Sequence, residues 1–111
     1  MAKSKLESEK DWQYFSEKTG NASAIDISAL VFKELLIQAD VGGSGNKELF
    51  YIPKRVLSAS NAWFRLGGYG ANTSDAGIIT IRATTAQIQL VTAYLNGQNY
   101  VTTTVVQVYY R

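Results

Sequence analysis

Hydrophobic and polar residues along this chain alternate with a period of two over most of its length, which is the signature of half-buried strands. In Glu34–Val41, Leu35, Ile37, Ala39 and Val41 share one face, and Glu34, Leu36, Gln38 and Asp40 the other. Residues 24–28 place Ile25 and Ile27 together, and residues 76–83 do the same for Ile79, Ile81 and Ala83. Residues 48–53 read as a strand ended by Pro53, which has no amide proton to give a ladder. Residues 62–69 set Ala62, Phe64 and Leu66 opposite Trp63 and Arg65. The last run sets Val106, Val108 and Tyr110 against Val105, Gln107 and Tyr109, and its apolar character on both faces predicts a strand covered on both sides.

Turn chemistry separates these runs. The segment at 42–46, Gly-Gly-Ser-Gly-Asn, suits a hairpin because glycine takes positive φ at low cost. Asn96-Gly97 is the strongest short hairpin signal, so the chain after it is expected to pair back on the chain before it. Residues 85–95 also fit a helical period through Ile88, Val91, Thr92 and Leu95; a bent strand is the preferred reading, given the hairpin signal that follows. Residues 67–77 form the longest glycine-rich, polar loop candidate. Roughly six to eight short strands at about ten-residue spacing predict an all-β fold, an antiparallel β-sandwich or jelly roll.

Residues 1–11 differ from the rest. They are polar and helix-forming, with alternating charge and Leu6 as the sole large apolar side chain. They read as a short helical or disordered segment: the end of a stalk, a linker, or an expression remnant. One leucine makes no heptad repeat. The domain is expected to occupy residues 12–111.

Composition mainly excludes. The chain has 111 residues, enough for one modest core. It carries 11 basic and 9 acidic residues, scattered along the chain, so a nucleic-acid partner is not expected. No apolar run approaches the roughly 20 residues of a membrane helix, and no hydrophobic signal core precedes the domain. Cysteine and histidine are both absent, which removes disulfides, thiolate nucleophiles, the commonest general base and the usual zinc ligands. Asp26, Glu34, Asp40, Glu48 and Asp75 are placed by the pattern on strand exteriors or in loops, away from the convergence a paired-carboxylate hydrolase needs. Asn72-Thr73-Ser74-Asp75 offers oxygen atoms but matches no EF-hand loop, so it is expected to be a polar turn rather than a calcium site. No catalytic residue, metal site or cofactor is predicted.

Seven Tyr, four Phe and two Trp supply the remaining chemistry. Trp12, Phe32 and Phe64 are expected in the core. Trp63 and Tyr69 flank the glycine-rich loop, and with Asn72 and Asp75 they make an aromatic and polar set suited to a saccharide. These four are the predicted ligand-binding residues.

Taken in order, six features resemble the C-terminal head domains of tail-fibre and minor structural proteins from phages and prophages of Gram-positive bacteria. They are the tryptophan of Asp11-Trp12, KELLIQADV at 33–41, FYIPKRVL at 50–57, WFRLGGYG at 63–70, AYLNGQNYVTTT at 93–104 and VYYR at 108–111. The resemblance covers about nine-tenths of the chain through the order of its motifs, none of which is specific alone. It implies a β-sandwich knob at the distal end of a virion fibre, made in the bacterial cytoplasm, assembled as a homotrimer, and recognising a host cell-surface polysaccharide or other receptor without catalysis or membrane insertion. It further implies that the terminal strand serves packing and assembly, through Tyr109, Tyr110 and Arg111, rather than forming a ligand site. The alternatives are a structural assembly or decoration domain of the virion, or a carbohydrate-binding module of a cellular protein.

Overall fold

A computed structural model describes residues 12–43, 45–59, 63–68 and 77–111; for Asn46, Trp63 and residues 65–68 it describes the backbone alone. Nine strands are formed among them: β1 (Gln13–Thr19), β2 (Ile25–Asp26), β3 (Glu34–Val41), β4 (Asn46–Pro53), β5 (Trp63–Gly68), β6 (Gly77–Ala83), β7 (Gln87–Leu95), β8 (Gln98–Asn99) and β9 (Val105–Tyr110). A single 3-10 turn at Lys54–Val56 follows β4. The strands build two antiparallel sheets, one in the order β1-β9-β3-β4 and one in the order β2-β7-β6-β5, with β8 also on β7. The fold is an all-β sandwich, as the two-residue period predicts.

The core lies between the sheets. From the first sheet Leu35, Ile37, Ala39, Val41, Phe50, Ile52, Val106 and Val108 face inward; from the second, Ile79, Ile81, Ala83, Ile88, Leu90 and Ala93 meet them. Strict alternation in β3 explains why its inward residues are all buried while its outward ones are half-exposed. Each large aliphatic side chain buried in this way stabilises the fold by about 1.5–3 kcal/mol relative to exposure. Phe32 is buried as expected, and Phe64 packs on the core from its edge.

Two irregularities mark where a simple period fails. In β7, Thr92 pairs with Thr80 and Leu90 with Ile81, so Val91 is an extra residue opposite the β6 ladder. This bulge shifts the phase, letting Leu90 and Ala93 both face inward. The mixed periodicity of residues 85–95 is therefore that of a bulged strand. In β1, Tyr14 pairs with Tyr109 and Ser16 with Val108, so Phe15 is the extra residue; it turns in to pack on the core.

The predicted hairpin at Asn96-Gly97 forms, with Asn96 at φ 51° and Gly97 at φ 77°, but it joins β7 only to the two-residue β8. The terminal strand belongs to the other sheet. There β9 lies between β1 and β3, hydrogen-bonded on both sides, with Val106 and Val108 in the core. Its opposite face, Val105, Gln107 and Tyr109, is only half-buried, and it forms the centre of the surface described next. Among the described residues no helix is long and apolar enough to cross a membrane.

Candidate functional site

Because side chains alternate across a strand, the core-facing set of the β1-β9-β3-β4 sheet leaves a second set on its outer face, and register lines these up in rows. One row runs Tyr14, Tyr109, Leu36, Tyr51 from β1 to β4. The next runs Glu17, Gln107, Gln38, Leu49. Strands lie ~4.8 Å apart and alternate residues ~6.6 Å apart along a strand, so an aromatic rail and an amide rail lie side by side.

At one end of the aromatic rail the face is closed by an ordered cluster. The Arg111 guanidinium sits 4.2 Å from the Trp12 ring centroid. Its Nε donates to Glu34 Oε1 at 2.7 Å, and Trp12 meets Tyr51 edge to face at 6.3 Å between ring centroids. Trp12 is thus a half-buried residue of the outer face; the expectation that it is a core residue is corrected. The reason is positional, since Trp12 precedes the β1 bulge and its ring is held by a cation and a tyrosine instead of the inter-sheet core. Tyr14 stacks edge to face on Tyr109 at 5.7 Å. Tyr110, facing inward, packs against Phe15 and donates its hydroxyl to Gln13.

The amide rail is a directed chain. Gln38 Nε2 donates to Gln107 Oε1 at 2.8 Å, and Gln107 Nε2 donates to Glu17 Oε1 at 3.0 Å. The Tyr14 hydroxyl donates to the same carboxylate oxygen at 3.0 Å, and the Tyr109 hydroxyl donates to Gln107 Oε1. Desolvation, then the hydrogen bond to Glu17 and that carboxylate's charge, raise the Tyr14 phenol above its ordinary value. Tyr14, Tyr51 and Leu49 remain 52%, 54% and 54% exposed, so the face presents wide apolar surface beside fixed polar groups.

Compared with known proteins, the chain matches no family model, no curated protein and no solved structure. The chemistry of the face itself is therefore what bears on function.

Of the predicted ligand set, Trp63 alone lies within the described residues, and there by its backbone. The backbone of Trp63 opens β5 opposite Arg82, on the other sheet. Tyr69, Asn72 and Asp75 lie outside the described residues, as does residues 1–11. Among the carboxylates, Asp26 accepts hydrogen bonds from Ser28 Oγ and N, Glu34 pairs with Arg111, and Asp40 caps the hairpin turn by accepting from Gly45 N. Among the described residues, no three His, Cys, Asp or Glu side chains group to hold a metal ion. The residues that do converge, Trp12, Tyr14, Gln38, Tyr51, Gln107 and Tyr109, are separated by up to 97 positions. For Gln38, Tyr51, Gln107 and Tyr109 the sequence signal is the outward phase of each strand, which becomes a surface once strand order is known; Trp12 and Tyr14 have no such signal.

Proposed function

We propose that this domain is a saccharide-binding head without catalytic activity, carried at the tip of a phage tail fibre and engaging a polysaccharide of the host surface. The observation that carries the saccharide reading is the aromatic rail beside the amide rail. A pyranose ring has an apolar face of C–H groups and an equatorial rim of hydroxyls. Tyrosine rings bury the first while amides and carboxylates bond to the second. Four of the chain's nine Tyr and Trp residues lie on this one exposed sheet face, where an isolated sandwich would carry scattered polar groups.

The fibre setting rests on the ordered resemblance of the motifs from Trp12 to Arg111. With it come synthesis in the bacterial cytoplasm, display on the virion and assembly as a homotrimer. Val31, 89% exposed, and Val56, 50% exposed, are apolar positions suited to a subunit contact. They sit on neighbouring segments, tied by the bond from Lys54 N to Lys33 O. Three copies would multiply a weak single-site affinity through avidity.

Two measurements test this reading. The isolated domain is expected to bind host cell-wall polysaccharide, and Tyr51→Ala is expected to reduce that binding. Absence of any binding to intact host cells or to their polysaccharide overturns the saccharide reading. Light scattering is expected to give a trimer, and a strict monomer with residues 1–11 present overturns the fibre-head assembly.

A further inference from the structure

We infer that the ligand of the β1-β9-β3-β4 face is an uncharged glycan chain that crosses the strands and donates a hydroxyl to Gln38; this rests on the saccharide reading above. The charge inventory of the face comes first. Two cations, Arg111 and Lys47, stand against three carboxylates, Glu17, Glu34 and Asp40. Arg111 is bound to Glu34 and stacked on Trp12. Lys47 pairs in register with Asp40 at the far end of the face. Glu17, beside the aromatic rail, receives only the neutral donors Tyr14 and Gln107 among the bonds described. A phosphate- or uronate-bearing polymer laid along the rail would meet that carboxylate, with Arg111 already engaged by Glu34 and Lys47 at the far end beside Asp40.

The direction of the amide chain sets the second constraint. A carboxylate offers Gln107 only acceptor oxygens, so Gln107 must turn its NH2 group toward Glu17. Gln107 then offers its oxygen to Gln38, and Gln38 must in turn spend an N–H on Gln107. Gln38 Oε1 is left pointing away from Gln107, and across the strand its neighbour in register is the apolar Leu49. Among the described residues nothing donates to that oxygen. A ligand hydroxyl can. Glu17 is thereby a positioning residue: two strands away, its charge decides which end of the Gln38 amide meets the ligand. The strand spacing of ~4.8 Å is close to the repeat of an extended pyranoside chain, so successive rings can sit over Tyr14, Tyr109, Leu36 and Tyr51 with a hydroxyl reaching Gln38.

The test uses the whole chain on an array of neutral oligosaccharides and of uronate- and phosphate-bearing ones, followed by titration of the best binder with Glu17→Gln, Gln38→Leu and Leu49→Ala. Binding is expected among neutral glycans. Gln38→Leu is expected to weaken it roughly five- to tenfold, the value of one hydrogen bond. Glu17→Gln, whose amide can turn either its oxygen or its NH2 group to Gln107 and so no longer fixes the direction of the chain, is expected to weaken binding by less than Gln38→Leu does, with an unchanged unfolding midpoint. Leu49→Ala, which removes apolar surface beside Gln38, is expected to weaken binding by less than Gln38→Leu does. A preference for anionic glycans overturns this inference while leaving the saccharide reading intact. Unchanged affinity in Glu17→Gln overturns the positioning role. Binding to neither half of the array overturns the saccharide reading itself.

Discussion

Arg111 and Glu34 are joined three times over: each backbone amide donates to the other's carbonyl, and Arg111 Nε donates to Glu34 Oε1 at 2.7 Å. Both side chains are about a quarter exposed, 27% and 24%, and the guanidinium also covers Trp12. The strand end is thus clamped to β3 and to the residue that precedes β1.

Arg111→Ala removes the ion pair and the cation–ring contact together. The expected cost is ~1–2 kcal/mol, more than an exposed pair would give because both partners are largely shielded. Urea unfolding measures it. Trp12 fluorescence is expected to shift to longer wavelength in the folded variant as the ring becomes more exposed, and Arg111→Lys is expected to restore only part of the loss.

Thr104 is fully buried and polar. Its hydroxyl donates to Tyr100 O at 2.8 Å and accepts from Gly42 N at 3.1 Å, tying the turn before β9 to the β3–β4 hairpin. Thr104→Val keeps the shape but takes the acceptor from Gly42 N, while Tyr100 O keeps its bonds from the Thr103 and Thr104 amides, so a loss of ~1–3 kcal/mol is expected. Thr104→Ser keeps the hydroxyl and is expected to cost clearly less. Equal effects of the two substitutions in chemical denaturation would argue against the hydrogen bonds as the source of stability.

Gly42 has φ 68°, and a Cβ there would come within 2.9 Å of the Tyr100 ring. Gly45, in the same turn at φ 93°, has open space where its Cβ would be. Gly42→Ala is therefore expected to destabilise by ~2–3 kcal/mol through strain and crowding, and Gly45→Ala by about 1 kcal/mol through strain alone. Thermal unfolding of the two variants separates the contributions.

Tyr14→Ala and Tyr51→Ala each expose little new surface, so each is expected to change stability by less than about 1 kcal/mol. Saccharide affinity is expected to fall about five- to tenfold in each, the loss of one stacked ring. Trp63→Ala and Tyr69→Ala, measured in parallel, decide between this sheet face and the glycine-rich loop. If only the loop variants lose adsorption to host cells, the ligand sits at the loop.

The Asp26 carboxylate is held below its ordinary value, first by the Ser28 hydroxyl bond at 2.6 Å and then by the Ser28 backbone bond at 2.9 Å. A folded value lowered relative to the unfolded one gives stability that is present above the unfolded value and fades as pH falls through the folded one. The stability difference between the native chain and Asp26→Ala is therefore expected to be constant near neutrality and to shrink below about pH 4. A difference that grows on acidification would contradict this.

Where inward and outward residues alternate without interruption, as in β3 and β9, the strands were legible residue by residue. β1 was not, because QYFSEKT lacks alternation: its residues lie at a sheet edge and Phe15 is bulged, so burial imposes little pattern on it. β7 was legible only as an ambiguity, since the bulge at Val91 makes a strand mimic a helical period. Trp12 was misread because large aromatics usually fill cores, and nothing local announces a guanidinium arriving from position 111.

The sequence by itself determined the all-β class, most of the core and the turn at Asn96-Gly97, because periodicity and positive φ are properties of neighbouring residues. Tertiary structure alone decided that the terminal strand inserts between β1 and β3, and so that Tyr14, Tyr109, Leu36 and Tyr51 form one row beside Glu17, Gln107 and Gln38. Strand order is a choice among long-range pairings whose local patterns are alike. A surface made from the outward phase of four strands exists only after that choice has been made.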